Sequence, residues 1–204
     1  MNHRTPLLLS ILALTACRHQ PRPGGAILPD TLRLEAGDVV FRRCTGLAST
    51  LVVRQDTGGI FSHVGIVVDS AGVPMIVHAV PGEPDYQGDP DRVKMSRPAE
   101  FYARGYAQCG AVCRPCNRKA GYHAARKAME VYRRGTLFDH DYDDRDTTRM
   151  YCTELIVEAY RTAGIDLVGD ERRDAGLPLM STRCIMPSQV FNSPHLQQPI
   201  MFNP

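Results

Sequence analysis

Residues 61–80 read Phe61-Ser62-His63-Val64-Gly65-Ile66-Val67-Val68-Asp69-Ser70-Ala71-Gly72-Val73-Pro74-Met75-Ile76-Val77-His78-Ala79-Val80. Two runs rich in valine and isoleucine flank a Ser70-Ala71-Gly72 turn, which predicts a hairpin with strands over 63–69 and 74–80. Each strand carries one histidine, His63 at the mouth of the first and His78 inside the second. A hairpin places such positions within reach of cross-strand contact. Ser62 and Gly65 flank His63 as a close-packed approach of two backbones requires.

Outward from the hairpin, Gly37-Asp38 before Val39-Val40-Phe41 reads as a turn into a short strand, and residues 45–54 as a short helix. Glycine, proline and acidic residues mark 81–91 as an exposed loop. Ser96-Arg97-Pro98-Ala99-Glu100 resembles a helix start with proline in its first turn, and 106–112 is a candidate strand. Ala124, Ala128, Met129 and Tyr132 recur on a helical period, so 120–132 is expected to be an amphipathic helix ended by Gly135. An acidic loop over 139–146 precedes a second helix, which starts at Cys152 and ends at Gly164. The remainder is polar, with a brief turn at Pro187-Ser188. Strands early and helices late argue for an α+β fold with a small antiparallel sheet packed with helices.

The second helix opens Met150-Tyr151-Cys152-Thr153-Glu154-Leu155. A cysteine at a helix N-terminus sits at the positive end of the backbone dipole, which favours its thiolate and predicts a pKa below that of a free thiol. With His63 as base and His78 as orienting group, the parts of a nucleophilic site are present. The bland readings are a buried, inert cysteine, a strand-end histidine and a core histidine bonded to a carbonyl. A His₂Cys zinc site needs a fourth ligand or an activated water. The run Asp139-His140-Asp141-Tyr142-Asp143-Asp144 lacks the glycine and glutamate of a calcium loop, since Asp144 and Met150 stand there. It reads as a solvated loop, or one that positions the cysteine helix. No cofactor and no metal ligand set is assigned.

The N-terminus carries one early positive charge and an apolar run from Pro6 to Ala16 that stops at Cys17. Eleven residues are too few for a helix across a bilayer, which takes about 20, so 1–16 reads as a secretory signal. Leu14-Thr15-Ala16-Cys17 resembles the bacterial lipobox, in which the cysteine becomes acylated. Residues 17–30, with prolines and paired glycines, then form a lipidated flexible tether, and 31–204 a single domain. Arg18 after the cysteine fits an outer-membrane location facing the periplasm. The net charge of +2 comes without a dense basic block and gives no nucleic-acid footprint. The sequence sets no oligomeric state. An exported chain permits disulfides, and one bridge is expected within Cys109, Cys113 and Cys116, without a deducible pairing.

Gly37-Asp38, Ser62-His63-Val64-Gly65, His78-Ala79-Val80, Tyr151-Cys152-Thr153-Glu154-Leu155 and Pro187-Ser188 occur in this order. Together they resemble the YiiX/YaeF type of circularly permuted papain-like cysteine amidases. These are relatives of the NlpC cell-wall peptidases and of the lecithin–retinol acyltransferases. The resemblance spans about 34–196 and implies a permuted papain-like (NlpC-like) fold. It further implies Cys152 as nucleophile, His63 as base and His78 in the third position. That position is usually a glutamate in the YiiX type and a histidine in the acyltransferase relatives. The expected function is a lipid-anchored cell-envelope cysteine amidase or peptidase, with peptidoglycan peptides as a substrate class. A lipid-directed acyl hydrolase or acyltransferase, and a non-catalytic binding lipoprotein, are the alternatives.

Overall fold

The structure, a computed structural model, describes residues 25–143, 145–146, 148–174 and 183–203. The expected leader over 1–16 and Cys17 lie outside the described residues. Ten strands and five helices follow in the described chain. They are β1 (Val39–Cys44), α1 (Leu47–Gln55), β2 (His63–Ser70), β3 (Val73–Val80), β4 (Arg92–Ser96), α2 (Pro98–Phe101), β5 (Ala107–Cys113) and α3 (Arg118–Arg133). Then come β6 (Leu137–Phe138), β7 (Arg149–Met150), α4 (Cys152–Arg161), β8 (Arg173–Asp174), β9 (Arg183–Cys184), α5 (Pro187–Phe191) and β10 (Ile200–Phe202).

The fold is mixed α+β, but its sheet is not small: eight strands pair in the order β10-β5-β1-β2-β3-β4-β6-β7. All neighbours are antiparallel except β6 and β7. Strands β4 and β10 and the two-residue strands β6 to β9 escaped the sequence reading. Arg92-Val93-Lys94-Met95-Ser96 alternates polar and apolar with a period of two, and the hairpin extends through it as β4. Ser96 therefore ends a strand, and α2 starts at Pro98 after Arg97. Strand β10 closes the far edge against β5, where the sequence offered only polar, proline-rich chain.

The hairpin itself forms as expected. Ala71 and Gly72 both take positive φ, the pattern of a two-residue primed turn, and Asp69 accepts the Gly72 N–H at 2.7 Å. Strand alternation then divides the core. Val39, Phe41, Val64, Ile66 and Val77 pack on one face against α3 and α4. Val40, Val67, Ile76 and Val112 pack on the other against Phe101, Tyr102 and Phe202. Gly37 lets α3 close on the sheet: it sits at φ +96, and a Cβ there would lie 2.5 Å from the Gly121 backbone. Tyr160 of α4 donates to its carbonyl at 2.6 Å, tying the second helix to the same turn.

Two expectations on the chain's periphery change. Ile27 is buried, and its N–H donates to Tyr102 O at 2.9 Å, so packed chain begins before residue 31. Cys109, Cys113 and Cys116 are free thiols, as are Cys44, Cys152 and Cys184. Cys109 and Cys113 are four residues apart along β5, a rise of about 13 Å that no disulfide spans.

Candidate active site

Helix α4 starts at Cys152 because the turn before it is closed from both sides. Glu154 accepts the Tyr151 N–H at 3.2 Å, and Thr153 Oγ1 donates to Ile185 O at 2.7 Å. Apolar residues Leu155, Ile156 and Ala159 then bury against the sheet. The backbone N–H groups of Val64 and Thr153 lie near enough to the Cys152 sulfur to lower its pKa. Val64 can do so because β2 pairs with β3 only from Ile66 onward, which leaves the mouth of the strand splayed.

One residue earlier, His63 Nε2 meets His78 Nδ1 at 2.9 Å, and His78 Nε2 meets Ser96 Oγ at 3.0 Å. The predicted partnership of the two histidines is therefore present. Gly65 makes it fit: a Cβ at this position would lie 3.3 Å from His78 Cβ and 2.7 Å from Ile76 Cγ2. If His63 Nε2 donates, His78 passes its own Nε2–H to Ser96. The His63 Nδ1 lone pair, which makes no hydrogen bond among the described residues, is then left to take a proton. No hydrogen bond joins His63 to Cys152 among the described residues. The thiol stands instead beside the next residue along the strand.

A buried cation that the sequence reading passed over lies against both imidazoles. Arg42 is paired in register with His63. It donates from Nη1 to Phe101 O at 2.7 Å, pairs with Glu83 and stacks over the Phe101 ring at 4.5 Å. Burial opposes its charge, but the neighbouring Cys44 thiol and Glu83 carboxylate raise its pKa above the usual guanidinium value. Burial and Arg42 together hold His63 well below 6.5; burial, His63, Arg42 and Lys94 do the same to His78. Both imidazoles rest neutral. The available signal was an arginine in phase with Val40 in a strand that opens Val39-Val40-Phe41.

Cys152 departs from its expected electrostatics. Burial pushes its thiol from 9.0 up to about 12; the Val64 and Thr153 N–H groups pull it down, while Cys44 and Cys184 raise it. The resting pair is thus thiol and imidazole, not thiolate and imidazolium. Iodoacetamide labelling of Cys152 should accordingly be slow at neutral pH and rise about tenfold per pH unit toward the alkaline limit, because only the thiolate reacts. Subtracting the labelling of Cys152→Ala isolates this residue. A plateau near neutrality would contradict the neutral pair.

The described residues of the acidic loop gather around Asp139. Its buried carboxylate accepts the N–H groups of Asp141 at 3.0 Å and Asp143 at 2.6 Å, and Arg149 ties Asp141 and Asp146 together. Between them Tyr142 takes φ +55 and packs its ring 5.3 Å from that of Tyr151, the residue before Cys152. Burial, then Cys152, Cys184 and Asp139, push the Tyr142 phenol up to about 12. The loop therefore packs Tyr142 against the residue that opens the cysteine helix.

No protein-family model matches this chain, and no curated protein is significantly similar to it. Among solved structures it is similar to the crystal structure of metalloprotein yiiX (DUF1105) from Escherichia coli O157:H7. The TM-score is 0.65 at 19% sequence identity, over 83% of this chain and 97% of that one. This likeness shows a shared fold. The residues assembled here do not form a metal-holding set: no group of three or more histidine, cysteine or acidic side chains is suitably arranged among the described residues.

Proposed function

We propose that the chain is a lipid-anchored cysteine hydrolase of the bacterial cell envelope, an amidase or peptidase on a permuted papain-like fold. The observation that carries this reading is the His63–His78–Ser96 chain, which ends beside Val64, a residue near enough to the Cys152 sulfur to lower its pKa. His63 Nδ1 takes the Cys152 proton as the sulfur attacks an amide or ester carbonyl, so charge develops only in the transition state. Such contacts are often looser before substrate is bound. The Cys152 N–H, at the first position of a helix, has no carbonyl one turn back and faces the developing oxyanion. His63 then protonates the leaving amine or alcohol as its bond breaks. Water or another acceptor releases the thioester.

A second reading is an acyl hydrolase or acyltransferase directed at lipids. It is favoured by the neutral histidine at the third position, where a carboxylate would stabilise the His63 cation more. Incubation with muropeptides and with phospholipids, followed by mass spectrometry of the products, separates the two. Cleavage of stem peptides supports the first reading and deacylation the second. Turnover of neither substrate class would leave a binding lipoprotein in their place.

Anchoring rests on the Leu14-Thr15-Ala16-Cys17 sequence. Acyl chains at Cys17 contribute about 0.8 kcal/mol per buried CH₂, so Cys17→Ser should move the protein from the membrane fraction to the soluble envelope fraction. Retention of this variant on membranes would reject the lipid.

A further inference from the structure

Helix α1 carries apolar residues on its outward face as well as its inward one. A surface helix ordinarily turns its apolar stripe to the core, and here Ser49 is buried with Val52 and Val53 half-buried beside it. Leu47 is 86% exposed, Leu51 one turn later 47%, and Ile60 just past the helix 42%. Polar bonds hold this arrangement in place. Ser49 Oγ lies 2.7 Å from Ser62 Oγ, and Asp56 at the helix end accepts the Ser188 N–H at 2.8 Å. Gly59 is required beside Asp56, since a Cβ there would lie 2.3 Å from its carboxylate. The leucines are therefore kept outward by the fold.

What covers them is indicated by where the chain enters the domain. Gly25 O accepts the Arg104 N–H at 3.1 Å, and the adjacent Gly105 O accepts the Thr45 hydroxyl at 2.8 Å, two residues before Leu47. The entry point and the apolar helix thus share one end of the molecule. From Cys17 to Gly25 the chain reaches at most about 29 Å when fully extended. Charge agrees: residues 43–55 contain Arg43 and Arg54 and no acidic residue, and Arg104 is exposed nearby.

We propose that Leu47, Leu51 and Ile60 form a membrane-seating face that enters the headgroup–acyl boundary of an anionic bilayer. This rests on the lipid-anchor part of the proposed function. Ser62 links the face to the reaction site: it bonds Ser49, accepts the Cys44 N–H at 2.9 Å and precedes His63. Seating α1 turns the mouth of β2 toward the bilayer, which suits a substrate embedded in or tethered to that membrane.

The chain contains no tryptophan, so Leu47→Trp is a single fluorescent reporter in the full-length protein. On vesicles of phosphatidylethanolamine and phosphatidylglycerol its emission should move to the blue and be quenched by brominated acyl chains. Val73→Trp, at the exposed hairpin turn, should show neither. Adding Leu51→Asp to the Leu47→Trp chain should weaken vesicle partition about tenfold, the worth of one leucine removed from water. Unquenched Leu47→Trp on vesicle-bound protein overturns the proposal. So does a blue shift without vesicles that grows with protein concentration, which would make the face an interface between copies. The mass of the Cys17 peptide from the same samples separates the two readings. Quenching without acylation refutes the anchor and upholds the face; acylation without quenching does the reverse.

Discussion

Cys152→Ala should lower turnover of the cleaved amide or ester on the order of 10⁴-fold or more, as loss of a nucleophile does. The same change removes one half-buried sulfur. Its cost of about 1 kcal/mol should move the melting temperature by roughly 2–4 °C for a chain of this size. Cys44→Ala is the informative companion. Cys44 lies beside the Arg42 guanidinium and close enough to raise the Cys152 thiol, so it is the thiol that could substitute as nucleophile. The account expects Cys44→Ala to retain turnover. Activity lost in Cys44→Ala and kept in Cys152→Ala would assign the chemistry to the wrong cysteine here.

His78 carries the second large effect. His78→Leu leaves the buried His63 Nε2 without a partner, at a cost of about 1–3 kcal/mol, and frees the ring to rotate. Turnover should fall about 10²–10⁴-fold, the usual worth of a positioned base. His78→Glu should recover much of it, because a carboxylate both holds His63 and stabilises its cation, with Arg42 and Lys94 close enough to offset the buried charge. The acid limb of the rate profile should move up in this variant. Stability gives an independent reading. Both imidazoles have folded pKa values below the unfolded 6.5. The unfolded chain therefore binds more protons, and stability that is complete above 6.5 is lost as pH falls below it. Each histidine contributes up to about 1.4 kcal/mol per pH unit, partly offset by Asp38, whose raised pKa of about 7 acts with the opposite sign, so His78→Leu should make the acid loss of stability shallower. Kinetics, acid slope and melting point all unchanged in both variants would exclude His78 from the site.

Local pattern made much of this legible. The period-two runs around Ala71-Gly72, the two histidines on facing strands and the cysteine opening α4 each depend on neighbours in sequence. The Cys152 thiol illustrates what did not follow from such signals. A helix dipole stabilises a charge at its end by about 0.3–1 kcal/mol, and at most ~2. Raising a thiol from 9.0 to about 12 reflects roughly 4 kcal/mol against the thiolate. Burial wins, and burial follows from the packing of Cys152 against a core assembled from strands and helices distant in sequence. Arg42 was missed for the same reason. Its place beside the histidines depends on the β1–β2 register, and its charge on Glu83, forty-one residues away. Strand β4 was a different failure, since the alternation Arg92 to Ser96 is local and was read only for its last residue as a helix start.

The central claim is a covalent thioester at Cys152. Intact-protein mass spectrometry of the enzyme quenched in acid during turnover, followed by peptide mapping, tests it most directly. The account predicts a mass increase equal to the acyl part of the substrate, located on the peptide containing Cys152 and absent from Cys152→Ala. An adduct located on Cys44, or productive turnover with no acyl-protein species at any quench time, would contradict it.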